Sequence, residues 1–295
     1  MKGFLKKLSD KYFARKGMLV LPNSTLWYES PIPDLKKIDE AFWLKRSELK
    51  GVNLNEKKAL ELLGIFENKF KKEYEAFPMN ETSIPYQYYI KNPMFGSIDA
   101  EILYCMIRNF KPRKIIEIGS GYSTRLSAQA ILKNQEEDSY KCVLVAIEPY
   151  PQAVLKTGFP GLSELVTKPV QEIPLAKFEE LNQNDILSID SSHVLRTGGD
   201  VQYEYLEILP RLQKGVIVQI HDIRLPEDYP KYRLQQNRFY TEQYLLQAFL
   251  AFNNTFEVLW PGHYMELNHP EKLDTAFNRH SQFKTGDSFW MRKIL

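Results

Sequence analysis

The chain has 295 residues, 43% of them hydrophobic, and a net charge of +2. That length and apolar content allow one large core with at most a smaller attached unit. The balanced charge argues against nucleic acid as a partner, and no run approaches the ~18 consecutive apolar residues of a membrane span.

Residues 1–20 carry Lys2, Lys6, Lys7, Lys11, Arg15 and Lys16, with Phe4, Leu5, Leu8 and Tyr12 at roughly helical spacing. This reads as a basic amphipathic helix. It either touches an anionic membrane surface or a partner, weakly, or docks solvated on the body. No secretory apolar region follows the basic start. Residues 21–38 are rich in Pro, Ser and Asp and read as an irregular connector.

Asn55 is placed to cap a helix running to about Phe77, where Pro78 stops it. Ala59, Leu63, Phe66, Phe70, Tyr74 and Phe77 form its apolar stripe. The aromatic stretch Tyr86-Gln87-Tyr88-Tyr89 either packs on the core or lines a substrate pocket. Ser97 is placed to cap a second helix through about Arg108. Cys105 and Cys142 lie in apolar segments without metal-ligand spacing and read as reduced thiols in a cytoplasmic protein.

From Lys114 onward, apolar runs alternate with helical stretches. The runs cover residues 115–118, 143–147, 165–167, 186–189, 216–220, 256–260 and 289–292. This predicts an α/β fold with a parallel sheet covered on both faces. Ligands of such sheets bind outside the carboxyl ends of the strands, where strand order reverses. Polar residues at the ends of the runs are therefore the candidates.

The first run passes through Glu117 into Gly119-Ser120-Gly121, then Tyr122-Ser123-Thr124 and a helical stretch. A glycine turn at a helix N-terminus suits a nucleotide-like ligand, because the backbone is approachable and the first N–H groups point outward. The dinucleotide fingerprint needs a third glycine where Thr124 stands, and Glu117 precedes the first one. Both departures count against NAD. The second run ends in Glu148, a carboxylate one strand away that can accept from ribose hydroxyls. The polar stretch 134–141 between them reads as a surface loop.

The fourth run ends in Asp190-Ser191-Ser192-His193 and the fifth in His221-Asp222. Two aspartates at adjacent tips offer hard oxygen ligands for Mg²⁺ or a similar ion. His193 titrates near neutrality, as a general base for a hydroxyl needs. The bland alternative makes both aspartates helix caps and His193 a loop residue. His221 reads equally as ligand, supporting partner or packing residue. Glu242 opens a helix over 241–252, where an acid is favoured anyway, although its side chain can also point back to the site. Asp200 reads as the cap of a helix over 201–209, and His263, His269 and His280 show no ligand spacing.

Glu117-Ile118-Gly119-Ser120-Gly121 resembles the first motif of class I S-adenosylmethionine-dependent methyltransferases, and Glu148 matches their ribose-binding acid. Residues 185–193, continued by Leu209-Pro210 and residues 215–223, resemble a branch containing metal-dependent O-methyltransferases of sugar hydroxyls. The resemblance covers about Phe95 to the C-terminus. It implies a Rossmann-like, seven-stranded, mostly parallel sheet with an antiparallel last strand, preceded by a mainly helical extension over 1–94 and making 95–295 the methyltransferase domain. It implies that Gly119, Ser120 and Gly121 pass under the methionine part of the cofactor, with Glu117, Ser123 and Thr124 in the same binding set. It places Glu148 on the ribose and Gln171 near the adenine. It gives Asp190 and Asp222 to metal and the base role to His193. Some relatives carry an acid where this chain has His221. The function implied is methylation of a sugar or other small-molecule or polysaccharide hydroxyl. The rivals are a non-catalytic scaffold on the same fold and a nucleotide-dependent oxidoreductase; a third possibility is methylation without metal, using His193 alone. Oligomeric state is not readable from these residues.

Overall fold

The computed structural model describes residues 31–33, 35–277 and 284–295. The expected helix over 1–20, most of the connector and His280 lie outside them. The chain divides into two compact units, Met1–Lys45 and Arg46–Leu295. Among the described residues of the first, a 3₁₀ turn, Glu40–Leu44, is capped by Asp39, whose carboxylate accepts the Phe42 N–H at 2.8 Å.

The second unit is organised by a seven-stranded sheet. Its strands are β1 (Lys114–Ile118), β2 (Val143–Ile147), β3 (Glu164–Val166), β4 (Ile186–Ile189), β5 (Ile217–Ile220), β6 (Phe256–Pro261) and β7 (Phe289–Lys293). Their order is β3-β2-β1-β4-β5-β7-β6. The first five are parallel, and β7 inserts antiparallel between β5 and β6. This is the Rossmann-like sheet expected from the sequence. Every residue of β4 and β5 is buried, as strands covered on both faces require. Alternate side chains serve opposite layers. Ile115, Leu144, Ile186 and Ile217 share one core with Phe66, Ile102 and Leu126. Ile116, Val145, Leu187 and Val218 share another with Tyr205, Ile208 and Leu246.

Three helices of the first layer depart from expectation at their ends. Helix α1 (Glu56–Tyr74) stops three residues before Phe77, which stays buried in the turn ahead of Pro78. Asn55 does not cap it by side chain; its amide donates to the Val258 carbonyl at 3.1 Å and ties α1 to β6. Helix α2 (Asp99–Phe110) begins two residues after Ser97. Ser97 and Ile98 instead pair in parallel with Lys284–Thr285, and Glu101 accepts from the Ile98 N–H at 2.7 Å. Helix α3 (Tyr122–Asp138) runs well into the stretch read as a loop. Asn134 is buried there and donates to the Ile107 carbonyl at 3.0 Å, while Arg108 reaches Asn134, Glu73 and Glu137. These polar residues form an inter-helix ion network, which a hydropathy pattern cannot distinguish from a solvated loop.

The order reverses at β1, which lies between β2 and β4. The tips of β1, β2, β4 and β5 therefore open on one crevice. Strand β7 completes the far half through Trp290, fully buried and paired with Gln219 and Trp260. Trp290→Ala is expected to cost about 3–5 kcal/mol in urea unfolding, the usual range for emptying an aromatic core site. A loss below about 1 kcal/mol would show that this strand is anchored elsewhere.

Candidate active site

The glycine turn is pressed between neighbouring strand tips. Gly119 N–H donates to the Ile147 carbonyl at 2.9 Å, and Asp190 N–H donates to the Ile118 carbonyl at 2.8 Å. Gly119 has φ +79°, and a Cβ there would lie 1.9 Å from the Asp190 carbonyl oxygen. Neither the dihedral nor the space admits a side chain. Gly121 opens α3, and a Cβ on it would meet nothing within 4 Å. Its N–H donates to the Thr124 hydroxyl at 2.9 Å, so Thr124 closes the turn from inside. Ser123 donates to Glu117 at 2.5 Å. Burial pushes the Glu117 carboxyl up to about 7, against the Ser123 and Thr124 hydroxyls, which favour its charge. Glu148, at the tip of β2, accepts from the Ser120 N–H at 3.2 Å and the Tyr150 N–H at 2.8 Å.

Two adjoining cavities lie over these tips. One, of about 360 Å³, is walled by Gly119, Glu148, Gln171 and Asp190 among others. The other, of about 460 Å³, is walled by Gly119, Ser120, Gly121, Ser123, Glu148, Asp190, His193 and Asp222, with Phe95, Tyr122, Arg233 and Tyr240. Of the residues that the resemblance assigns to cofactor, metal or base, Glu117 and Thr124 stand behind the walls; Glu242 and the aromatic stretch Tyr86-Gln87-Tyr88-Tyr89 do not line either cavity. The two cavities share Gly119, Glu148 and Asp190 in their walls, and Gly121 lines the second. Asp200, expected as a helix cap, accepts instead from the Ser192 N–H at 2.9 Å and hydroxyl at 2.6 Å. It thereby shapes the loop that carries His193.

His193 is buried at the centre of an acidic cluster. Its Nδ1 lies 2.9 Å from Glu242, and its Nε2 lies 3.2 Å from Asp190 and 3.4 Å from Asp222. Burial pulls its pKa down, but Asp190 and Glu242 outweigh that and hold it well above the ordinary value. Both His193 (φ +60°) and Asp222 (φ +57°) adopt the left-handed conformation. For residues with a side chain this costs on the order of 1–3 kcal/mol, so the surroundings must enforce it. They do: the His193 carbonyl accepts N–H groups of Thr241 and Glu242, at 2.8 and 3.2 Å, from the start of helix α5 (Glu242–Leu250), which α4 (Lys231–Gln235) precedes. Glu242 opens its helix, as read from sequence, and its carboxylate also serves the site. Burial holds its pKa up, although His193 favours the charged form.

Two further contacts carried no sequence signal. Asp99, buried at the start of α2, lies 3.2 Å from His221 Nε2 and also accepts the Asp287 and Ser288 N–H groups. His221 Nδ1 then faces Asp190 at 3.7 Å and Asp222 at 3.8 Å. Burial opposes charge on His221, but the Asp190 and Asp99 carboxylates raise its pKa to about 10. Arg233 donates to both Asp222 oxygens, at 2.7 and 2.6 Å. Burial opposes the Asp222 charge, yet Arg233 and His221 hold its carboxyl far below the usual range.

The expected ion at Asp190 and Asp222 has donors of the right kind, but both Asp222 oxygens are already engaged by a guanidinium. Among the described residues no group of three or more His, Cys, Asp or Glu side chains could hold a metal ion. The pair as arranged does not fit a divalent cation. A histidine whose folded pKa is raised stabilises the fold fully below its unfolded value near 6.5. That contribution is lost as pH climbs through the folded value of about 10. Urea titrations from pH 6 to 11 should therefore show wild type losing stability across that window and His221→Asn losing much less. Parallel curves would remove His221 from the cation balance.

Residues 116–223 match the family described as "Methyltransferase domain". The chain is 32% identical over 169 residues to an uncharacterised protein of Archaeoglobus fulgidus, spanning 54% of this chain and 73% of that protein. Among solved structures it is similar to apo CalS11, a TDP-rhamnose 3′-O-methyltransferase of calicheamicin biosynthesis. That likeness has 14% identity, 86% and 99% coverage of this chain and that one, and a TM-score of 0.43. It is also similar to a complex of CmcI with Mg and SAM, at 14% identity, 68% and 73% coverage and a TM-score of 0.36. The glycine turn, Glu148, Asp190, His193 and Asp222 all lie inside the matched residues, and residues 116–223 form a methyltransferase domain.

Proposed function

We propose that this methyltransferase acts on a hydroxyl oxygen of a sugar, or of another small-molecule or polysaccharide acceptor, with His193 as general base. The observation that carries the reading is the His193 imidazole, held at Nδ1 by Glu242, with Nε2 3.2 Å from Asp190, in the wall of the cavity that Gly121 also lines. S-adenosylmethionine, when bound, supplies an electrophilic methyl group on a sulfonium. Gly119, Ser120, Gly121 and Ser123 would border its methionine part, Glu148 its ribose and Gln171 its adenine side. Glu117 and Thr124 hold the turn from behind.

A base needs Nε2 unprotonated. With Glu242 accepting the Nδ1–H, the neutral imidazole is fixed in the tautomer that leaves Nε2 free to take a hydroxyl proton. The same carboxylates raise its pKa, so the free imidazole is a strong base that becomes available as pH rises. Turnover should increase through the alkaline range. Phe95, Tyr122 and Tyr240 give the wall flat apolar faces, which suit the apolar side of a sugar ring. All these residues lie in the proposed catalytic domain, 95–295. Of the proposed extension, 1–94, helix α1 packs within the unit Arg46–Leu295. A cytoplasmic setting belongs to the same proposal, Cys105 and Cys142 both being free thiols. Among the described residues no helix is long and apolar enough to cross a membrane.

S-adenosylhomocysteine should raise the melting temperature of the wild-type protein, NADH should not, and Gly119→Ala should erase the shift through its collision with the Asp190 backbone. A normal shift in that variant would remove the turn from cofactor binding. For the acceptor, a panel of free and linked sugars is incubated with protein and S-adenosylmethionine, and S-adenosylhomocysteine release is followed. On any acceptor found, His193→Ala should lower turnover at least about 100-fold, as for lost general-base catalysis, with cofactor affinity nearly unchanged. Retained turnover would remove His193 from the chemistry.

A further inference from the structure

We propose that this enzyme activates its acceptor hydroxyl without a divalent cation, the positive charge at the paired strand tips being supplied by Arg233. The inference rests on the methyl-transfer reading above. Aspartates at the ends of β4 and β5 are hard donors that would suit a divalent ion if their lone pairs were free. Those of Asp222 are not. Arg233 grips both of its oxygens in a two-pronged fork, and the residue is only 8% exposed. This planar, bidentate geometry is the strong form of an arginine–carboxylate pair, and arginine stays charged at any working pH.

The fork is held from outside as well. The guanidinium carbon lies 4.9 Å from the Tyr240 ring centroid, and His193 packs on the same ring at 4.7 Å. Arg233 also stands 3.7 Å from Asp287. An ion entering at Asp222 would have to break the fork and deprive a buried guanidinium of its closest carboxylate, leaving Asp287 at 3.7 Å, which is strongly unfavourable. Asp190 meanwhile faces His193 and His221. Each tip carboxylate is thus already matched by a nitrogen cation or base of this chain.

The chemistry balances without a metal. The acceptor hydroxyl gives its proton to His193 Nε2 and its oxygen forms the new bond to the methyl carbon. The sulfur–methyl bond breaks with its electron pair remaining on sulfur, which becomes neutral. The guanidinium, fixed in the wall that also holds His193, offsets the Asp222 charge that would otherwise oppose a developing oxyanion there. Arg233 acts here as a positioning residue: it holds Asp222 and the local charge.

The test is an electron paramagnetic resonance titration of Mn²⁺ into metal-stripped protein saturated with S-adenosylhomocysteine, cofactor loading being confirmed separately by thermal shift. Absence of loading would count against the methyl-transfer reading, not against the metal inference. In loaded wild type the free Mn²⁺ signal should grow with no stoichiometric uptake, or with uptake that Asp222→Asn leaves unchanged. Arg233→Met, which frees Asp222, should gain a site that Asp222→Asn removes. One tight Mn²⁺ per wild-type chain, lost in Asp222→Asn, overturns the proposal. So does a folded Arg233→Met protein that gains no site, since Arg233 would then not be what excludes the ion.

Discussion

The whole site depends on a contact with no side chain in it. Gly119 lies so close to the Asp190 carbonyl that a single Cβ would overlap it. This approach lets the turn after β1 fold flat against the tip of β4, with the backbone bonds of Asp190 and Gly119 on either side. The cofactor turn and the loop bearing His193 are thereby brought to one wall. Without it, β1 and β4 would still pair along their length, but their ends would splay and the two cavities would not share Gly119, Glu148 and Asp190.

Around that contact the protein concentrates charge in a buried place. Asp190, Asp222, Glu242 and Asp99 surround His193 and His221, with Arg233 closing the open side. Burial opposes charge on His193, His221, Asp190, Asp222 and Arg233, and mutual attraction restores it. The result is polarised: Asp222 is kept strongly ionised, while Glu242 and the neighbouring Glu204 are pushed toward protonation by burial. Carboxylic acids in one small space acquire different proton affinities because Asp222 meets a permanent guanidinium whereas burial prevails at Glu204 and Glu242. That separation is what acid–base chemistry at a fixed pH requires.

Backbone strain lies in the same place. His193 and Asp222 both take the left-handed conformation, one at the end of each functional loop. Each is locked by neighbours: the His193 carbonyl by the start of α5, and the Asp222 carboxylate by α4 through Arg233. These two short segments, far along the chain from the glycine turn, set the direction of the imidazole and the state of the second aspartate.

The local chemistry was legible in the order of residues. Mainly apolar runs at β1, β2, β4 and β5 mark strands covered on two faces, and the polar residue ending each run marks the crevice, because hydropathy pattern and strand length are short-range properties. Gly119, Glu148, Asp190, His193 and Asp222 could be picked out this way. Partnerships could not. That Glu242 orients His193, that Arg233 occupies Asp222 and that Asp99 holds His221 are pairings across 49, 11 and 122 residues, respectively. The stretch containing Asn134 looked like a loop because a buried ion network has the same composition as a solvated surface. The sequence alone determined which strand ends carry reactive groups, since that follows from local pattern. Only the tertiary structure decided which of those groups are free and which are already neutralised, since buried charge is governed by neighbours in space.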